Sequence, residues 1–164
     1  MSFLSILFIA ISLSFDAMAV AAANGAKHHQ MNFSKATKIA FFFGLFQFLM
    51  PLIGWFIGGG LSQFISNYDH WIAFLLLSIL GVKFIFESLK TVEEREIDIH
   101  SWKTLILLSV ATSIDALVVG VTFAFLPIKI WTSLLTIGTT TFILSLFSIY
   151  IGKKCGERWG KKAE

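Results

Sequence analysis

The chain has 164 residues, the usual length of a single domain. It is 56% hydrophobic and only 14% charged, whereas a soluble domain carries about 25% charged residues, so the composition excludes water-soluble enzyme folds. Its single cysteine excludes a disulfide framework and a cysteine-rich metal site.

Five apolar segments are long enough to cross a bilayer as helices, which requires about 20 residues each. The period-two alternation of a membrane β-barrel is absent from them. The sequence therefore predicts an all-α fold, a polytopic bundle of membrane helices that forms one domain over residues 1–164. In chain order the predicted spans are Phe3–Ala23, Ile39–Ile57, Trp71–Leu89, Thr104–Leu126 and Ile130–Ile151.

The first span also has the features of a signal peptide, because it ends in small residues such as Ala21–Ala23. However, no Lys or Arg precedes it, and Asp16 lies inside it. We therefore expect the segment to be retained as a membrane helix.

The basic residues predict the orientation of the spans. Eleven of the 13 Lys and Arg residues lie in the loop after the first span, the loop after the third, or the tail after the fifth. By the positive-inside rule these three regions are cytoplasmic, so the N-terminus is outside and the Glu164 end is inside. Contact with anionic lipid explains this basicity, and no nucleic-acid partner is expected.

The sequence contains an internal repeat. Ser14–Val20 in the first span matches Ser113–Val119 in the fourth at an offset of 99 residues. The second and fifth spans match at an offset of 94, as Gly44 and Gly138 illustrate. Because the first and fourth spans cross in opposite directions, the repeats are inverted, which is typical of secondary transporters with a substrate site at the repeat interface.

The repeats extend over about residues 1–90 and 103–164. The first contains three predicted spans and the second only two, so the parent architecture is a 3+3 arrangement of six helices. A sixth span is expected to follow Glu164 and is absent from this sequence.

Asp16 and Asp115 occupy equivalent places in the two repeats, deep within spans. An aspartate at the centre of a membrane helix costs about 2.5–3.5 kcal/mol, and such residues are functional by default. Two adjacent carboxylates repel each other, and a divalent cation or protons would relieve the repulsion. The pair therefore predicts a metal site that exchanges a cation for protons.

Oxygen ligands favour hard cations such as Mg²⁺, Ca²⁺ and Mn²⁺, and a thioether ligand would favour Mn²⁺ among them. Each further candidate also has a structural interpretation. In that interpretation the hydroxyls bond carbonyls of their own helix, the Gln47 amide bonds a neighbouring helix, the Met50 thioether packs in apolar space, and Glu87 pairs with Lys83. The candidates for secondary metal binding or gating are Ser14, Gln47, Met50, Glu87, Thr112 and Ser113.

Nothing in the sequence indicates an enzyme or a bound cofactor. Gly58–Gly60 is not followed by the Lys and Ser or Thr of a phosphate-binding loop, and it ends a membrane span. No catalytic residues are predicted.

Six stretches of the chain match one known family: Ser14–Val20, Phe43–Trp55, His70–Phe74, Ala111–Ala116, Ile151–Lys154 and Gly160–Glu164. In these stretches the chain resembles the MntP-type manganese efflux pumps of bacteria, which are related to the LysE transporter superfamily. The resemblance implies a six-helix exporter of the inner membrane that lowers cytoplasmic manganese, with Asp16 and Asp115 as its metal residues. Family members continue beyond Glu164 into a final helix. Without that helix, we expect a second copy to cover the exposed apolar face in a homodimer.

The leading hypothesis is therefore an exporter of Mn²⁺, and of other divalent cations, coupled to protons. One alternative is an amino-acid exporter of the LysE type. It would need groups such as helix N-termini or a deep basic residue to hold the substrate carboxylate, and the two deep acids without a deep base oppose it. The other is a membrane subunit that transports nothing, which the missing sixth helix favours and the paired aspartates oppose.

Overall fold

The structure, a computed structural model, describes residues 3–28, 31–65 and 102–160. Every regular element in these ranges is an α-helix, so the predicted all-α membrane helical bundle is confirmed. The predicted third span, Trp71–Leu89, lies outside the described residues, and so do Lys83 and Glu87. The described helices are α1 (Phe3–Lys27), α2 (Phe33–Ile65), α3 (Trp102–Ala111), α4 (Ile114–Phe123) and α5 (Ile130–Gly160).

Three of these helices, α1, α2 and α5, are long and apolar enough to cross a membrane. The hydropathy pattern predicts one helix over Thr104–Leu126, whereas the structure has two, α3 and α4, inclined by 47°. At the bend, the hydroxyls of Thr112 and Ser113 donate to the carbonyl of Ser109 at 3.2 and 2.7 Å. Such bonds compete with regular helical pairing, and hydropathy does not register them.

The helices pack in two parallel pairs, α1 with α5 and α2 with α4. The pairs are joined where α2 meets α5, and there Gly44 faces Gly138. A Cβ atom on Gly44 would lie 2.8 Å from the Gly138 carbonyl oxygen, and one on Gly138 would lie 3.1 Å from the Gly44 carbonyl oxygen. The backbones are therefore as close as only small residues permit.

The two helix pairs share equivalent contacts. In the α2–α4 pair, a Cβ on Gly58 would lie 2.8 Å from the carbonyl oxygen of Val121. In the α1–α5 pair, Gly152 faces the carbonyl oxygen of Ala22 in the same way. Gly152 is 94 residues after Gly58, and Val121 is 99 residues after Ala22. The packing thus follows the two offsets of the sequence repeat.

Basic residues converge at one end of the bundle. The Lys38 ammonium group lies 3.6 Å from the centre of the Trp102 ring, where α3 begins. The Lys153 ammonium group donates to the carbonyl oxygen of Met31 at 3.5 Å. Lys129 precedes α5 and therefore lies at the opposite end of the bundle.

Candidate metal-transport site

The core of the bundle consists of two apolar clusters. The first is at the end that carries most of the basic residues and comprises Ala17, Ala21, Met31, Ala36, Ile39, Phe43, Leu105 and Ile149. The second is towards the opposite end and comprises Ala10, Leu13, Ala116, Phe123 and Ile137.

Between the two clusters lies a set of buried polar residues, here called the polar layer. In each helix its members are located between the residues that contribute to the two clusters. Burying polar groups is costly, and polar side chains at one depth of a membrane bundle indicate a functional site. The polar layer comprises Ser14, Gln47, Ser109, Thr112, Ser113, Thr141 and Ser145.

Hydrogen bonds from α2 and α5 converge on the centre of α1. The Gln47 Nε2 atom donates to the carbonyl oxygen of Leu13 at 2.7 Å. The Ser14 hydroxyl donates to the carbonyl oxygen of Ala10 at 2.6 Å and lies 2.8 Å from the Thr141 hydroxyl. Since Ser14 has a single hydroxyl proton, the Thr141 hydroxyl is the donor in the second bond.

Two buried acceptors in the polar layer remain unused. The Oε1 atom of Gln47 and the Oγ atom of Ser145 have no hydrogen-bond partner among the residues that the structure describes. In addition, Pro51 lies inside α2 and has no N–H group, so the carbonyl of Gln47 lacks its usual helical donor. Gln47 therefore brings two oxygen atoms with free acceptor capacity into the layer.

Asp16 and Asp115 lie at the depth of the polar layer, each two residues after one of its serines. The Asp16 side chain is exposed, and the Asp115 side chain is partly buried. The Asp115 carboxylate accepts a hydrogen bond from the Ala116 N–H at 2.8 Å in the first turn of α4, where the helix dipole favours negative charge.

The remaining candidates differ in their surroundings. The Thr112 and Ser113 hydroxyls bond within their own segment, whereas Ser14 also bonds across helices. Met50 packs against the second apolar cluster. Glu87 lies outside the described residues.

Within the three described ranges, no group of three or more His, Cys, Asp or Glu side chains comes together. Among the described residues, the other oxygen atoms of the polar layer that could bind a metal are amide, hydroxyl and backbone oxygens. The sequence analysis missed Thr141 and Ser145 as members of the layer. The repeat contains the signal for the first of them, because Thr141 is 94 residues after Gln47.

The chain was compared with known proteins. Residues 30–164 match the model of the family Mntp, described as "Putative manganese efflux pump". A relative from Clostridium botulinum (strain Hall), "Putative manganese efflux pump MntP 2", is 45% identical over all of this chain and 87% of its own length. Proteins named "Putative manganese efflux pump MntP" from Acetivibrio thermocellus and Actinobacillus succinogenes are 45% and 46% identical over all of this chain and 83% and 88% of their own lengths. No solved structure matches the chain.

Proposed function

Because the chain belongs to the manganese efflux pump family Mntp, we propose that it exports Mn²⁺ across a bacterial inner membrane, with the cation held between Asp16 and Asp115. The observation that carries this proposal is that both carboxylates lie at the depth of the polar layer, each two residues after one of its buried serines. A divalent cation relieves their repulsion.

The donor atoms around the pair suit manganese. Carboxylate, amide and hydroxyl oxygens are ligands for hard divalent cations. The unpartnered Oε1 atom of Gln47 is such a ligand, since its amide is anchored one turn from Asp16 by the bond to Leu13. Gln47 is therefore the first candidate for an additional metal ligand.

Protons are the proposed coupling ion. In the part of the chain that the structure describes, the polar layer contains no Lys or Arg side chain. When the cation leaves, proton uptake by the carboxylates reduces their mutual repulsion. Among the described residues, the layer also has no basic group to hold the carboxylate of an exported amino acid.

The two halves of the bundle are proposed to be inverted repeats, with the cation site at their interface. The equivalent contacts of Gly58 with Val121 and of Gly152 with Ala22 support this arrangement. The convergence of basic residues at one end supports an orientation in which that end is cytoplasmic.

The test is the manganese content of an export-deficient bacterium under manganese load, measured by elemental analysis. Cells expressing the chain should contain less manganese than cells without it. Asp16→Asn and Asp115→Asn should each return the content to that of cells without the chain, because each leaves one carboxylate to hold the ion.

Glu157→Gln is the matched control, since it makes the same chemical change at an exposed position near the end of α5. It should export as well as the original chain. The proposal fails if the chain leaves cellular manganese unchanged despite normal membrane levels, or if the aspartate variants export as well as Glu157→Gln.

A further inference from the structure

The two segments that carry the aspartates are equivalent in sequence but differ in backbone. Helix α1 runs unbroken through Leu13 and Ser14. The equivalent residues 99 positions later, Thr112 and Ser113, form the 47° bend between α3 and α4.

The serines of the two segments bond in the same way, but Thr112, which is equivalent to Leu13, adds a second hydroxyl bond to the Ser109 carbonyl at 3.2 Å. The Ser14 hydroxyl donates to the Ala10 carbonyl at 2.6 Å, and the Ser113 hydroxyl donates to the equivalent Ser109 carbonyl at 2.7 Å. The serines therefore do not explain why one segment is straight and the other bent. The Thr112 bond is one difference, and the contacts from the neighbouring helices are another.

The contacts from the neighbouring helices do differ. Helix α1 is held by Gln47, which donates to the Leu13 carbonyl at 2.7 Å, and by Thr141, which bonds the Ser14 hydroxyl at 2.8 Å. Gln47 and Thr141 are themselves equivalent at the offset of 94. Among the described residues, no side chain of α2 or α5 makes the corresponding bonds to Thr112 or Ser113.

We infer that Gln47 and Thr141 are a pair of positioning residues that keep α1 straight, and that they select which of the two aspartate-bearing segments is broken. In the alternative arrangement, the two repeats exchange conformations, and Gln47 and Thr141 bond Thr112 and Ser113 instead of α1. The fourth span then straightens, and α1 breaks at Leu13–Ser14. The unpartnered Oε1 atom of Gln47 provides the acceptor that the Ser113 hydroxyl takes in that arrangement.

The exchange has a direct consequence for the aspartates. In the observed structure, Asp16 lies on a continuous helix with its side chain exposed, whereas Asp115 follows a break and is partly buried. After the exchange the two environments are swapped, so the site changes the side from which it is reached. This inference rests on the inverted repeats of the proposed function, but it does not depend on which ion is carried.

Hydrogen–deuterium exchange of the full chain in lipid nanodiscs, without added metal, tests the inference because amides at a helix break exchange faster than amides within a helix. In the unmodified chain, peptides covering 109–119 should exchange faster than peptides covering 10–20. Thr141→Val and Gln47→Leu each remove one bond to α1. Each should therefore accelerate exchange over 10–20 by about fivefold and slow exchange over 109–119.

Thr141→Ser retains the hydroxyl and is the matched control, and it should behave as the unmodified chain. Ser133→Ala is a second control, because the Ser133 hydroxyl bonds the Lys129 carbonyl, which immediately precedes its own helix. If Gln47→Leu does not fold, the comparison of Val and Ser at position 141 decides alone.

The inference is wrong if Thr141→Val leaves exchange over 10–20 unchanged. It is also wrong if exchange rises over 10–20 and 109–119 together, because that pattern reports a loosened bundle rather than a transfer of the break. Both outcomes are independent of the manganese measurement, so a failure here leaves the export proposal to its own test.

Discussion

At the scale of single residues, the position of a side chain along its helix decides whether it lies in the polar layer or in an apolar cluster. Gln47 and Met50 are three residues apart in α2, yet Gln47 is fully buried in the polar layer and Met50 packs against the second apolar cluster. Buried amides require hydrogen-bond partners, whereas a thioether fills apolar space. The two residues were both candidate ligands in the sequence, and their surroundings now separate them.

Met50→Leu is expected to leave manganese export within about twofold of the original chain, since it conserves apolar volume in the cluster. The measurement is the cellular manganese content at matched membrane levels, with Asp115→Asn as the inactive reference. A loss of export in Met50→Leu comparable to that in Asp115→Asn would instead assign the Met50 sulfur to the metal site.

At the scale of elements, the structure depends on close helix contacts. Helices α2 and α5 approach at Gly44 and Gly138, and the flanking Phe48 and Phe142 are equivalent residues of the two repeats. Within a membrane there is little hydrophobic force between helices, so packing of small residues supplies much of the association. A side chain at this crossing therefore separates the two helix pairs.

Gly44→Ala is expected to lower the free energy of unfolding by about 1–3 kcal/mol, because its Cβ would meet the Gly138 carbonyl oxygen at 2.8 Å and Phe142 at 2.9 Å. The measurement is thermal unfolding in detergent, with size-exclusion chromatography as the readout of the protein that remains folded. Alanine is otherwise the better helix former by about 1 kcal/mol, so a loss of stability isolates the steric effect.

Gly60→Ala is the control for this change, since no described atom lies within 4 Å of a Cβ at that position in α2. It should be as stable as the original chain or slightly more so. Equal stability of the two variants would show that the crossing adjusts without cost.

At the scale of the whole molecule, charge and packing agree on two distinct ends. One end contains Lys38 against Trp102 and Lys153 against the Met31 carbonyl. The connection that carries Lys129 lies at the other end. Because basic residues are retained on the cytoplasmic side, the first end is expected to face the cytoplasm.

Cys155, the single cysteine of the chain, makes this orientation measurable, because it is exposed near the end of α5. A membrane-impermeant maleimide should not label it in intact cells and should label it in inverted membrane vesicles. Lys129→Cys in a Cys155→Ser background is the control and should show the opposite pattern. Labelling of Cys155 in intact cells would reverse the orientation.

The sequence by itself predicted the fold class, the family and three of the described spans. It did so because a bilayer requires about 20 apolar residues per helix and because the motif around Asp16 recurs around Asp115. It also singled out Gln47, since Gln47 lies one turn before Pro51, which removes the helical donor of a carbonyl there. These conclusions depend on the composition of the chain and on the spacing of its residues, and both are independent of how the helices pack.

The tertiary structure decided which residues meet. Thr141 became a partner of Ser14 only because α5 lies along α1. The break at Thr112–Ser113 also appeared only in three dimensions, since the equivalent Leu13–Ser14 has the same serine and stays helical. The first feature arises from a contact between helices that are distant in sequence, and the second coincides with the hydroxyl bonds of Thr112 and Ser113 to the Ser109 carbonyl. Hydropathy and periodicity register neither.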